Sequence, residues 1–369
     1  MSHNERFNTI VIVGVGLIGG SLGLALKRKG FKGTIIGVDD PYTLEEAIKR
    51  KIVDKVYTND QLKEAIEQAD LVFLCTPINE IMNLIKVVGK YVKPNTLITD
   101  VGSVKRKIVE IANIHLPGEC DFIGGHPMTG SEFHGVKAAD PFLFENTIYV
   151  LTPTRPINED TRKSFGELLE LIGAKVLLLQ PKLHDEIAAA VSHLPQMAAV
   201  AMMNLAAKKQ EESPHFLKMA AGGFRDMTRI ASSPFGIWEY IRQTNSDMIL
   251  EYIDAYIQEL EYLKKILMTP ELEKYFENSA KSRLNIPSDT KGFLKPHYDI
   301  SVSVEDKPGV IATIANALAE EEINIKDIEV LKIREEEGGT IRLAFTTEAN
   351  RDSALALLKA KGLECGKRD

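Results

Sequence analysis

The segment Thr9–Val13 reads Thr-Ile-Val-Ile-Val and runs directly into Gly14-Val-Gly-Leu-Ile-Gly-Gly20. The β-branched residues of the first segment are typical of a strand that is buried on both faces. The residues after the glycines, 21–29, have the pattern of a helix. Glycine at such a junction permits a tight turn and a close approach to the backbone. The segment therefore predicts a strand, a glycine-rich turn and a helix in immediate succession.

An acidic residue completes this pattern, because Asp39 lies twenty residues after Gly19 at the end of the second predicted strand. Together these parts form the Rossmann fingerprint of dinucleotide-binding domains. Asp39 can accept both ribose hydroxyls of NAD, whereas the phosphate of NADP would face Asp39 and Asp40, so NAD is the predicted cofactor. A glycine-rich turn without a ligand and a helix-capping role for Asp39 are the alternatives. The predicted cofactor contacts here are Gly14, Gly16, Leu17, Ile18, Gly19 and Asp39.

Short apolar segments alternate with helical patterns from Thr9 to about Pro181, which predicts an α/β domain over residues 1–181 with a mostly parallel sheet. The predicted strands are Thr9–Val13, Thr34–Val38, Leu71–Cys75, Thr96–Asp100, Phe122–Gly124, Asn146–Leu151 and Lys175–Leu179. The third ends in Cys75, Thr76 and Pro77, which we interpret as cofactor lining, with a simple strand-ending turn as the alternative.

Strand patterns are missing from residues 182–283, where Ala, Met and Leu recur at helical spacing. This predicts an all-α domain, with a kink at Pro195 in its first helix. Residues 198–207 are apolar on nearly all sides, so other helices should cover them, including helices of a second subunit. We therefore expect a homodimer.

Residues 284–296 have the Pro, Gly and polar content of a linker. Strand and helix patterns in the order βαββα follow in residues 297–369, with room for a short last strand, and predict a small α+β domain of the ferredoxin-like type.

Composition limits the classes of partner. The 369 residues carry a net charge of -7, and the last 73 contain 15 acidic and 10 basic residues, which argues against nucleic acid. The three cysteines are far apart and predict neither a disulfide framework nor a metal site. Without an apolar leader or a stretch of about 20 apolar residues, we expect a cytoplasmic protein that does not bind membranes.

Two polar side chains follow later strands of the predicted sheet, where the nicotinamide end of a dinucleotide would lie. Ser103 comes after the strand that ends at Asp100, and a helix-capping role is its alternative. His126 lies on a predicted Gly-rich loop, 124–132, and histidine titrates in the range that suits a base for a hydroxyl proton. No comparable setting was found for the histidines at positions 3, 115, 134, 184, 215 and 297.

The helical domain supplies candidates for substrate binding. Ser192 and Gln196 are four residues apart, which places them on one helix face, and His193 between them is as compatible with helix packing as with a ligand. Arg225 and Arg229 share another predicted face in the segment that begins at Gly222, where guanidinium groups suit an anionic substrate; a salt bridge of Arg225 with Asp226 is the alternative.

Gly-Gly-His126-Pro-Met, Ser192-His-Leu-Pro and Gly-Gly-Phe-Arg-Asp-Met-Thr-Arg229, in this order behind a Rossmann fingerprint, resemble the bacterial prephenate dehydrogenases. The resemblance covers residues 9 to about 267. The remainder, with Glu-Asp-Lys-Pro-Gly-Val at 305–310, resembles an ACT domain, the amino-acid-sensing module fused to some members. The resemblance implies that NAD oxidises prephenate, which loses carbon dioxide to give 4-hydroxyphenylpyruvate.

The resemblance also implies roles for individual residues. His126 matches the histidine that hydrogen-bonds the ring hydroxyl, and Ser103 matches the serine that orients it and touches the nicotinamide. Arg229 matches the arginine that binds a substrate carboxylate. Arg225 and Asp226 match an ionic pair at the pocket mouth, and Trp238 matches an aromatic residue that the partner subunit contributes.

One position departs from the family pattern, because Gln196 stands where many relatives have histidine, and an amide cannot become cationic. Arogenate dehydrogenase therefore stays open as an alternative. A β-hydroxyacid or imine reductase is a second, although the Gly-Gly-His-Pro-Met loop speaks against it. A non-catalytic, amino-acid-responsive binding protein would explain only the C-terminal module.

The C-terminal module is predicted to bind L-tyrosine as a feedback inhibitor. A helix N-terminus can receive the carboxylate of an amino acid, and an acidic side chain can receive its ammonium group. The alternative is that Pro308 and Gly309 form only a tight turn. The predicted ligand contacts are Asp306, Lys307, Pro308, Gly309, Val310, Asn324 and Ile325.

Overall fold

The structure is a computed structural model that describes residues 6–130, 133–153, 157–285, 298–305, 307–334 and 338–368. The chain divides into two compact units, residues 1–280 and 281–369. The strands of the first unit are β1 Thr9–Val13, β2 Thr34–Asp39, β3 Lys55–Thr58, β4 Leu71–Leu74, β5 Leu97–Asp100, β6 Asp121–Pro127, β7 Ile148–Pro153 and β8 Lys175–Leu178.

These strands form one sheet in the order β3-β2-β1-β4-β5-β6-β7-β8, in which only β6 and β7 pair antiparallel. The predicted α/β architecture with a mostly parallel sheet is confirmed. Strand β3 was not predicted, because its residues Lys55 and Val56 are exposed at the sheet edge and give no apolar run. Strand β6 extends to Pro127, three residues beyond the predicted end at Gly124.

Helices cover both faces of the sheet, which explains why its central strands are apolar throughout. They are α1 Leu17–Arg28, α2 Pro41–Lys49, α3 Leu62–Ile66, α4 Ile78–Val88, α5 Arg106–His115 and α6 Glu159–Leu171. The register pairs Val13 with Val38 and with Leu74, so β1, β2 and β4 end at the same edge of the sheet. The glycine-rich turn therefore opens at the carboxyl edge of the strands.

The rest of the first unit is helical, as predicted, with α7 Pro181–Ala188, α8 Leu194–Glu212, α9 Gly222–Thr228, α10 Phe235–Ile266 and α11 Glu271–Leu284. A π-helical turn, Ala189–His193, separates α7 from α8 immediately before Pro195. The predicted irregularity is thus a widened turn ahead of the proline. Only Gln196 and Ala199 are buried along α8, and Leu205 is 62% exposed, so this chain alone leaves most of that apolar helix uncovered.

The second unit contains β9 Tyr298–Val304, α12 Val310–Glu320, β10 Asp327–Arg334, β11 Gly338–Phe345, α13 Glu348–Ala360 and β12 Cys365–Arg368. Its four strands form an antiparallel sheet in the order β10-β11-β9-β12, with the two helices packed over one core. The predicted α+β order with a short last strand is confirmed.

In the described ranges, no helix is both long and apolar enough to cross a bilayer. No group of three or more His, Cys, Asp or Glu side chains among the described residues is placed to hold a metal ion.

Candidate functional site

The glycine-rich turn is shaped as a cradle. Gly14 has a φ of +93°, and a Cβ there would lie 2.7 Å from the carbonyl oxygen of Cys75. A Cβ on Gly19 would lie 2.0 Å from the carbonyl oxygen of Gly14, so α1 packs directly on the turn. A Cβ on Gly16, in contrast, would meet nothing within 4 Å. The backbone at Gly16 is therefore open to an approaching phosphate, at the first turn of α1 with Leu17 and Ile18.

Asp39 ends β2 beside this turn. Its carboxylate accepts hydrogen bonds from the backbone amides of Val15, at 2.7 Å, and Asp40, at 2.8 Å. Burial raises the pKa of Asp39, although both amide bonds oppose this. The helix-capping role weighed for Asp39 belongs to its neighbour, since Asp40 accepts from the amides of Tyr42 and Thr43 at the start of α2.

Cys75, Thr76 and Pro77 lie between β4 and α4, at the carboxyl edge of the sheet. The backbone of Cys75 bonds to the carbonyl of Val13, and Pro77 caps α4. The Thr76 hydroxyl is buried and has no hydrogen-bond partner among the described residues. An open glycine, an acid at the ribose position and an unpaired hydroxyl fit a bound dinucleotide.

His126 lies in strand β6, where it pairs with Val150, and not in a loop after the strand as predicted. The antiparallel partner β7 extends β6 through the Gly-Gly-His-Pro segment, which a pattern of parallel strands could not predict. His126 is partly exposed. Its Nε2 makes no hydrogen bond among the described residues and is not a buried atom, so this nitrogen is free to meet a ligand.

The other ring nitrogen of His126 faces a second histidine. His126 Nδ1 lies 2.8 Å from Nε2 of His184, and His184 Nδ1 lies 2.8 Å from a carboxylate oxygen of Asp185. The sequence around His184 offers no setting comparable to that of His126, so this contact was not predicted. Ser103, predicted to orient His126, forms no hydrogen bond with it within the described chain.

Asp185 is fully buried and anchored at the N-terminus of α5. Its carboxylate accepts the backbone amides of Lys105, at 2.6 Å, and Arg106, at 2.9 Å. Burial alone would raise the pKa of Asp185, but the bonds from His184 and from these amides outweigh it and lower the pKa. Arg106 also pairs with Asp247 of α10, at 2.6 Å. The carboxylate at the end of the histidine pair is therefore ionised and held by two elements.

A buried ion pair supports the same strand. The ammonium group of Lys105 bonds to Asp100 and, at 2.6 Å, to the carbonyl of Gly125, the residue before His126. Both side chains are fully buried. Burial lowers the pKa of Lys105, which Asp100 opposes. Burial also holds the pKa of His126 well below its ordinary value, and the positive charge of Lys105 adds to the effect. His126 is therefore neutral at neutral pH, so one of its ring nitrogens carries a lone pair.

His193 packs inside this chain, edge-on against Trp238 with ring centroids 5.8 Å apart, and burial lowers its pKa to about 4. Trp238, predicted to come from the partner subunit, thus already contacts its own chain. Gln196 is buried and donates to the carbonyl of Ile230 at 2.9 Å, whereas Ser192 is exposed. Ser192 lies in the π-helical turn Ala189–His193 and Gln196 lies in α8, so the two residues differ both in element and in burial.

The arginine segment is exposed. Arg225 and Asp226 lie on α9, and the salt bridge between them that was the alternative is not seen within the described chain. Arg229 follows in a 3-10 turn, Arg229–Ser232, rather than on the same helix as Arg225. Gly222 begins α9, and a Cβ there would meet nothing within 4 Å.

In the second unit, Gly309 has a φ of +90° and precedes the first residue of α12, Val310. The Lys307 ammonium pairs with Glu305 at 2.7 Å. Asn324 and Ile325 lie before β10, which starts at Asp327. Of the predicted ligand contacts, Asp306 lies outside the described residues.

The first unit has a nucleotide cradle and a neutral histidine on one sheet, and a helical region and then a small α+β unit follow along the chain. This is the composition of a Rossmann-type dehydrogenase with an appended module. Three family models match the chain: prephenate dehydrogenase nucleotide-binding domain at residues 22–178, prephenate dehydrogenase dimerization domain at 180–280, and ACT domain at 298–362. The chain belongs to the prephenate dehydrogenase family.

Individual relatives agree with this assignment. The chain is 34% identical to prephenate dehydrogenase of Bacillus subtilis (strain 168), over 97% of either chain. Prephenate dehydrogenase from A. aeolicus, solved with hydroxyphenyl propionate and NAD+, covers 76% of this chain and 98% of its own at 31% identity and a TM-score of 0.70. Synechocystis arogenate dehydrogenase covers 76% of this chain and 100% of its own, at 32% identity and a TM-score of 0.68.

Proposed function

We propose that this protein oxidises prephenate with NAD+ and releases carbon dioxide, 4-hydroxyphenylpyruvate and NADH, in the cytoplasm. The observation that carries the proposal is the position of His126, whose unbonded Nε2 belongs to β6, a strand separated from β4 of the dinucleotide cradle by β5 alone. Family membership favours this reaction over a hydroxyacid or imine reductase and over a non-catalytic binding protein.

The reaction needs little from the protein beyond orientation and one proton transfer. Bound NAD+ supplies the acceptor for the hydride that leaves the ring carbinol. Nε2 of His126 takes the hydroxyl proton as the ring C–O bond gains double-bond character. The bond to the ring carboxylate then breaks, its electron pair completes the aromatic ring, and the proton returns from His126 to the phenolic oxygen. The residues named for the cradle would hold the cofactor: Gly14, Gly16, Leu17, Ile18, Gly19, Asp39, Cys75, Thr76, Pro77 and Ser103.

Substrate recognition is assigned to the helical domain. Prephenate is a dianion, and a guanidinium group suits a carboxylate through two parallel hydrogen bonds. We assign this contact to Arg229, with Ser192, Gln196, Gly222, Arg225, Asp226 and Trp238 around it. Because α8 is largely uncovered in one chain, a homodimer is part of the proposal.

Arogenate is the second candidate substrate, since an arogenate dehydrogenase is as similar to this chain as a prephenate dehydrogenase is. The test is NADH absorbance with prephenate, arogenate and a set of short hydroxyacids. The proposal expects the highest kcat/KM with prephenate. A higher kcat/KM with arogenate would identify arogenate as the substrate instead, and turnover of hydroxyacids alone would refute the proposal.

Regulation by L-tyrosine is assigned to the ACT domain. Gly309 leaves the N-terminus of α12 open, and the net negative charge of this domain suits a zwitterion better than an anion. The comparison is between the full chain and a chain truncated after Ser282, both with prephenate. Tyrosine should inhibit only the full chain. Equal inhibition of the two would place tyrosine in the active site.

A further inference from the structure

We infer that His184 and Asp185 fix the tautomer of His126, and so make its Nε2 the base. The inference rests on the proposed function, in which His126 is the catalytic base, and adds two positioning residues that the sequence did not indicate. His126, His184 and Asp185 are linked in this order, from a partly exposed imidazole to a buried carboxylate, and both links are 2.8 Å long.

The direction of each hydrogen bond follows from the carboxylate at the buried end. An ionised carboxylate can only accept, so Nδ1 of His184 must carry the proton in its bond to Asp185. A neutral His184 then has its lone pair on Nε2, which can only accept from His126. Nδ1 of His126 therefore donates, and the lone pair of His126 falls on Nε2, the nitrogen without a partner.

A charged His184 would reverse this outcome, because both of its nitrogens would donate and Nε2 of His126 would hold a proton. The surroundings of Asp185 argue against that state. The carboxylate already receives two backbone amides at the N-terminus of α5, and the Arg106 side chain lies 3.4 Å away. His184 itself is 2% exposed, so a positive charge on its ring would lose its hydration. The Asp185 carboxylate does not need this charge, because Arg106 and two backbone amides already compensate it.

The residues that fix the tautomer of His126 lie in a different part of the first unit from His126 itself. His126 stands on β6 of the sheet, whereas His184 and Asp185 stand on α7, the first helix after β8. Asn245 of α10 donates to the backbone carbonyl of Asp185 at 2.9 Å and so holds α7 in place. The helical part of the unit therefore positions a base that the sheet carries.

The test compares His184→Leu with His184→Gln in the full-length protein. Leucine offers no acceptor, whereas the carbonyl of glutamine can accept from Nδ1 of His126. We expect His184→Leu to lower kcat by about 10²-fold or more, as for other mispositioned bases, with the KM for NAD+ within threefold of wild type. His184→Gln should restore kcat to within about tenfold of wild type.

A spectroscopic readout separates positioning from general structural damage. Imidazole 15N shifts, with His126 assigned through His126→Asn, should show the Nδ1–H tautomer of His126 in wild type and His184→Gln. The Nε2–H tautomer should predominate in His184→Leu. A cationic His184 in wild type, an unchanged tautomer in His184→Leu, or equal kcat in the two variants would overturn the inference. If wild type fails to oxidise prephenate, the proposed function fails, while the tautomer measurement still decides this inference.

Discussion

The two ends of the proposed site differ in how far one chain completes them. Around His126, the side chains of Lys105, His184 and Asp185 are buried and linked by hydrogen bonds across three elements. Around Arg229, the side chains are exposed on a short helix and a 3-10 turn. The proposed base, His126, and the proposed substrate-binding residue, Arg229, are therefore held in place by different parts of the first unit. The proposed base is preorganised within one chain, whereas the proposed anion site lies on exposed residues of that chain.

Loss of the base should give the largest effect. His126→Asn removes the proton acceptor, so kcat should fall by ~10² to 10⁴-fold. Binding of NAD+, followed by fluorescence titration, should be unchanged, because the cradle lies on other strands. A variant that keeps more than about a tenth of wild-type kcat would show that His126 is not the base.

The buried ion pair of Lys105 and Asp100 should contribute strongly to the stability of the fold around His126. Lys105→Met leaves the Asp100 carboxylate buried without its cation, which should lower the free energy of unfolding by about 3 to 5 kcal/mol. Lys107→Met, in the first turn of the helix that follows Lys105, is the matched control. The Lys107 pair with Glu110 is solvent-exposed, so its loss should cost less than about 1 kcal/mol. Equal losses in urea unfolding would contradict the assignment.

Substitution of the exposed Arg229 should change substrate binding rather than the stability of the protein. Arg229→Ala should lower kcat/KM for prephenate by about 2 to 5 kcal/mol in transition-state free energy, mainly through KM. The KM for NAD+ and the melting temperature should change little. Arg225→Ala, one turn earlier, should have a smaller effect. A parallel rise in both KM values for Arg229→Ala would identify a structural arginine.

The sequence could predict the features that depend on local patterns, but not those that depend on contacts between distant residues. The fold rests on local patterns, and the seven strands and the glycine turn follow from them. Strand β3 was not predicted because Lys55 and Val56 are exposed at the sheet edge and give no apolar pattern. The predicted β6 was too short because its extension depends on an antiparallel partner. His184 was missed for a related reason, since it is 58 residues from His126 and only the packed fold brings the two rings together. Contacts of this kind leave no pattern in either segment.

The smallest expected effect concerns the pH dependence of the buried end. His193 is buried, and its pKa in the folded chain is about 4, against about 6.5 when unfolded. Because the unfolded chain binds the additional proton, the stabilisation is full above pH 6.5 and is lost as the pH falls towards 4. This histidine alone should lower the free energy of unfolding by about 1 kcal/mol between pH 6.5 and 5.5. His193→Gln should reduce the slope of unfolding free energy against pH by this amount, whatever its effect on the absolute stability. Urea unfolding of wild type and variant at the two pH values measures the difference, and identical slopes would show that His193 is protonated in the folded protein.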